Sequence, residues 1–90
     1  MLLSDAIRKR IKKLLKEQNT NLWQLYKRTG VPMPTLSAFM NGKRELLTLK
    51  TLLHICEGFD ISLAEFFTDS LFDNVEQDKK NNSIITIAFL

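Results

Sequence analysis

The spacing of apolar positions divides the chain up to about residue 70 into short amphipathic segments. Ile7, Ile11, Leu14, Leu15 and Gln18 recur at the i, i+4, i+7 interval, which predicts a helix over about Ser4–Gln18. Ser4 or Asp5 supplies its cap. Arg8, Lys9, Arg10, Lys12, Lys13 and Lys16 occupy the rest of its circumference, as a face turned either to solvent or to phosphate. Asn19-Thr20-Asn21 breaks the pattern. Asn21 and Gln24 have capping-box spacing, and Leu22, Leu25, Tyr26 and Thr29 trace one side of a second helix. Gly30 ends that helix, since glycine takes the left-handed conformation without steric cost.

Val31-Pro32-Met33-Pro34 is a joint. A proline disfavours helical geometry in the residue before it, so Val31 and Met33 are expected to be extended. Pro34 suits the first position of a third helix, which runs to about Asn41 and stops at Gly42. Leu36, Phe39 and Met40 face inward there, and Thr35, Ser37 and Ala38 face outward. Thr48 caps a fourth helix with core face Leu49, Leu52, Leu53 and Cys56, ended by Gly58. Ser62 and Glu65 form a capping box that opens a fifth helix through Leu63, Phe66 and Phe67. Five helices with short connections predict a compact all-α domain over residues 1–70. Residues 71–90 read as a C-terminal tail. Leu71 and Phe72 pack back on the core, Asn74 to Ser83 is polar and loosely ordered, and the β-branched run Ile84–Leu90 reads as a strand.

Composition narrows the class. A chain of 90 residues buries only roughly 60–65% of its unfolded surface and leaves no room for a separate sensor or catalytic domain. The net charge of +3 conceals an asymmetry: residues 1–50 carry eleven basic and three acidic side chains, residues 51–90 two basic and seven acidic. One half is suited to a polyanion and the other is not. The single cysteine, Cys56, excludes an internal disulfide and suits a reducing, cytoplasmic setting. Met1-Leu2-Leu3 is followed at once by polar residues, which predicts no signal peptide, and Ile84–Leu90 is far shorter than a membrane span. His54 lies off the core stripe, and one histidine with one cysteine cannot assemble a structural zinc site. Trp23 and Tyr26 are expected to serve helix packing. The scattered acids show no paired-carboxylate or nucleophile–base arrangement, so neither an enzyme nor a cofactor is expected.

The stretch from Asn21 to Gly42, two short helices about a glycine turn, lets the helices pack at a steep angle. Here the chain resembles the Cro/repressor-type (Xre-like) helix-turn-helix family of phage and bacterial regulators. The resemblance rests on Leu25, Gly30-Val31, Thr35-Leu36-Ser37, Asn41-Gly42-Lys43-Arg44, Thr51-Leu52, Ile55 and Ile61-Ser62-Leu63-Ala64-Glu65-Phe66-Phe67, and covers roughly residues 5–68. It implies a lambda-repressor-like fold whose third helix enters the major groove of double-stranded DNA. It further implies that Asn21, Asn41, Lys43 and Arg44 meet phosphate or flanking bases, and that Met33, Pro34, Thr35, Ser37 and Ala38 read base edges. The family often has glutamines at the positions of Leu22 and Met33, and a small residue at that of Tyr26. Tyr26 therefore either loosens the helix packing or tilts outward.

The resulting expectation is a dimeric transcriptional repressor. Met33, Pro34 and Ala38 meet thymine methyls but cannot form a bidentate pair with a base, which implies modest sequence discrimination. The alternative is a protein-interaction or antitoxin-like module that keeps the fold with weak base reading. The family binds two half-sites about 34 Å apart, so two copies are required; strand Ile84–Leu90 is the expected dimer contact, the alternatives being that the tail folds back onto its own domain or is a disordered end.

Overall fold

In the computed structural model the described residues are 1–43 and 46–77. They form α1 (Leu3–Glu17), α2 (Leu22–Thr29), α3 (Met33–Met40), α4 (Leu49–Gly58) and α5 (Leu63–Phe66), then a 3-10 turn at Ser70–Phe72. The expected all-α architecture is present. The expected strand at Ile84–Leu90, and Arg44, lie outside the described residues.

α1 turns Ala6, Ile7, Ile11 and Leu14 to the core. Its start departs from expectation: Leu2 is the N-cap and makes no side-chain bond, while Ser4 is buried in the first turn. The first amide is satisfied from far along the chain instead. Leu3 N–H donates to the Glu76 carbonyl at 3.0 Å and Glu76 N–H to the Met1 carbonyl at 3.0 Å, a parallel bridge that places Glu76 beside Leu2. At the other end Gln18, expected on the apolar stripe, is exposed, and its amide donates to the Phe59 carbonyl at 2.8 Å.

Two arginines of the basic face turn inward. Arg10, 8% exposed, donates from Nε to the Phe66 carbonyl at 2.8 Å and from Nη2 to the Glu65 carbonyl at 3.0 Å. Its Nη1 lies 3.6 Å from Asp69, which Lys13 Nζ also meets at 2.7 Å. A buried charge is tolerated when paired and hydrogen-bonded, and both conditions are met here. The Lys13 bond, helped by the Leu71 amide and the nearby Arg10 charge, holds the Asp69 carboxyl below its ordinary value. Arg8 donates from Nε to the Phe39 carbonyl at 2.5 Å and pairs with Asp5 at 3.0 Å, joining α1 to the end of α3.

α4 presents Leu52, Ile55 and Cys56 to the core, not the expected set: Leu49 is 66% and Leu53 41% exposed. Apolar residues make up half of this helix, so the stripe alone does not fix its roll. Contact with α2 does, at Gly58, where a Cβ would overlap Thr29 Cγ2 and come within 3.0 Å of Leu25 Cδ1. Burial pushes the Cys56 thiol up to about 11, so it behaves as a small inert hydrophobe. α5 is opened by the Ser62 hydroxyl accepting from Glu65 N–H at 3.0 Å. Phe66 is buried, and Phe72 folds back against it and Phe67 with ring centroids 5.8 and 4.8 Å apart.

Candidate nucleic-acid interface

α2 is bounded by two local signals. Asn21 Oδ1 accepts from Gln24 N–H at 2.9 Å, and Gly30 closes the helix at φ 73° with its amide on the Tyr26 carbonyl. The turn is tightened by Thr29, whose hydroxyl donates to the Leu25 carbonyl at 2.8 Å and accepts from Val31 N–H at 3.1 Å. Pro32 then serves as N-cap of α3 with φ −55°. Met33, expected to be extended, is the first helical residue, and Pro34 takes the second position. Nothing is lost by this, because the N–H that Pro34 lacks has no intrahelical partner in the first turn.

Leu36 and Phe39 anchor α3 in the core. Pro34 is exposed, and Met33, Thr35, Ser37 and Ala38 are half-buried. The exposed Asn41 donates through Nδ2 to Ser37 Oγ at 3.3 Å, so these two polar groups act as one pair, an i, i+4 link the sequence reading left unconnected. Gly42, at φ 79°, carries the chain out, and Lys43 N–H returns to the Ala38 carbonyl at 2.8 Å, leaving the Lys43 side chain exposed. Thr35 lies at the far edge and opens on a hollow of about 310 Å³ shared with Thr29, Thr51 and His54. The structure thus brings Met33, Pro34, Ser37, Ala38, Asn41 and Lys43 onto α3 and its exit turn, sets Thr35 toward α4, and places Asn21 at the start of α2.

The electrostatics of this region are one-sided. α2 and α3 contain no acidic residue, and Lys27 and Arg28 lie exposed in the last turn of α2. Lys9, Lys12, Lys16 and Lys50 are also exposed, whereas Arg8, Arg10 and Lys13 serve tertiary contacts, and the exposed Arg28 also donates to the Gly58 carbonyl at 3.4 Å. Trp23 departs from the packing role expected of it: it is 51% exposed, its ring tilted at 44° to that of Tyr26 with centroids 5.4 Å apart and capped by Lys27 Nζ at 5.6 Å. Its place two positions before the core residue Leu25 was the available signal. Tyr26 packs against the core in part.

A sequence profile of the Cro/C1-type helix-turn-helix DNA-binding domain matches residues 10–70. The chain belongs to that family. No curated protein and no solved structure matches it. The family membership accounts for the α2–Gly30–α3 geometry, and this Cro/C1-type domain is a DNA-binding one. Among the described residues no helix is long and apolar enough to cross a membrane, and no three or more His, Cys, Asp or Glu side chains group to hold a metal ion.

Proposed function

We propose that this chain is a transcriptional regulator of phage or bacterial type that represses by binding duplex DNA as a dimer, with α3 in the major groove. The observation that carries the reading is the acid-free surface of α2 and α3, edged by exposed Lys27, Arg28 and Lys43. A polyanion is the partner that such a surface suits. In this reading Asn21, Asn41, Lys43 and Arg44 contact phosphate or flanking bases. Asn21 keeps its Nδ2 donors while its Oδ1 caps α2. Met33, Pro34, Thr35, Ser37 and Ala38 face base edges, and no catalytic step is assigned to the chain. The dimer contact is assigned to Ile84–Leu90 on its β-branched pattern, because an isolated strand leaves its backbone groups unpaired.

A second reading, a protein-interaction module with weak base reading, is favoured by one observation. Met33, Pro34 and Ala38 on α3 carry no side-chain hydrogen-bond donor. Titration of a labelled random-sequence duplex at two salt concentrations separates the two. The DNA-binding reading expects log K to fall with log salt by about 0.9 for every phosphate neutralised. Absent or salt-insensitive binding would refute the first and favour the second.

A further inference from the structure

Between α2 and the start of α3 lies an open cleft of about 370 Å³, lined by Trp23, Tyr26, Gly30, Pro32, Met33 and Pro34. We propose that this cleft receives the 5-methyl edge of a pyrimidine at the rim of the bound DNA site, and that Trp23 is a specificity-determining residue. The inference rests on the DNA-binding reading above and adds a contact from α2 to those expected of α3.

Three observations converge. The walls are two aromatic rings, two prolines and a thioether side chain, so the occupant they suit is apolar. Trp23 is half exposed with Tyr26 as its ring neighbour, leaving a large apolar surface open to water. The cleft is also continuous with the reading surface, since Met33 and Pro34 belong both to it and to the first turn of α3.

Charge selects the kind of partner. Lys27 Nζ sits 5.6 Å over the Trp23 ring, Arg28 follows it, and neither helix holds a carboxylate. An apolar cleft beside exposed cations suits a ligand that presents an apolar group next to negative charge. Thymine in a duplex does so, with its C5-methyl in the major groove and a phosphate on either side. 5-Methylcytosine projects the same methyl from the same ring position, so the shared chemistry is the 5-methylpyrimidine edge.

The test starts from a duplex selected out of a random pool by the full chain. Each thymine is replaced singly by uracil, and binding is followed by fluorescence anisotropy for the wild type, W23A and W23F. Trp23 is exposed, so W23A is expected to keep the fold, and unchanged far-UV circular dichroism checks this. At one rim thymine, uracil should weaken the wild type by about fourfold, the value of one buried methyl. W23A should bind the two duplexes alike, and W23F should keep part of the difference. Restoring the methyl as 5-methylcytosine, compared with cytosine at that position, should favour the methylated duplex for the wild type only. Loss of discrimination in W23A supports the inference. A W23A protein that responds to every uracil as the wild type does, or that binds every duplex with wild-type affinity, overturns it while leaving DNA binding intact. A wild type that binds no duplex overturns both.

Discussion

Replacing Arg10 by methionine separates a tertiary role from a phosphate-binding one. Arg10 lies on the basic face of α1, yet its guanidinium bonds to the carbonyls of Phe66 and Glu65 at 2.8 and 3.0 Å. Methionine keeps much of the volume over the Phe66 ring and removes the donors. The Glu65 carbonyl also accepts from the Thr68 hydroxyl at 2.7 Å, so the cost falls mainly on the Phe66 carbonyl. A hydrogen bond from a charged donor contributes about 1.5–3 kcal/mol, and apolar packing by methionine offsets little of it, since the acceptor stays behind. A loss of about 2 kcal/mol follows, and for a domain of this size it lowers Tm by about 8–16 °C. Far-UV circular dichroism on heating and in urea measures it. At a temperature where both proteins are folded, DNA affinity and its salt slope should be unchanged. An unaltered Tm, or a slope reduced by about one phosphate in the folded variant, would refute the reasoning. The same cluster gives a pH signature. The folded-state pKa of Asp69 is lowered, so its contribution is complete above the ordinary value of 3.8 and is lost as pH falls through the lowered value. The stability gap between the wild type and D69N should therefore hold from neutral pH to about that point and close below it.

K43A should weaken binding to all duplexes similarly and reduce the salt slope by about 0.9; a loss confined to one sequence would reassign Lys43 to base reading. G58A should destabilise the domain by about 1–2 kcal/mol in urea unfolding, because the overlap with Thr29 and Leu25 outweighs alanine's better helix propensity of about 1 kcal/mol. An unchanged or higher urea midpoint would show that α2 and α4 separate freely. Deleting residues 82–90 should halve the mass measured by sedimentation. A truncated chain that stays dimeric would shift the contact to the exposed Leu49 and Leu53 surface of α4.

What could be read from the sequence was local. The Ser62–Glu65 spacing, the Asn21–Gln24 spacing and Thr48 marked three helix starts, and each acts within three residues, as the bonds to Glu65, Gln24 and Thr51 show. What could not be read depended on distant partners. Nothing in α1 indicates that Arg10 meets carbonyls 55 and 56 residues away while Lys9 stays in solvent. The roll of α4 was ambiguous because Leu49, Leu53 and Ile55 are equally apolar, and the Gly58 contact with α2 chose Ile55. For the candidate site, the α3 residues followed from the glycine turn and the resemblance. The Ser37–Asn41 pair was not legible, and the exposure of Trp23 was signalled only by its place two positions before Leu25.

The bridge between Leu2 and Glu76 has a consequence for synthesis on the ribosome. α1 is translated first, but the acceptor for its Leu3 amide is Glu76 and the acceptors for its Arg10 are Glu65 and Phe66. At about 5–20 residues per second, roughly 4–15 s separate the appearance of Leu3 from that of Glu76. At the start of that interval the apolar stripe of Ile7, Ile11 and Leu14 lacks the later helices that cover it. A nascent chain stalled just before residue 65 would hold α2, α3 and α4 already made, with the first helix unclamped. The domain is thus completed late, when its last described segment returns to its first.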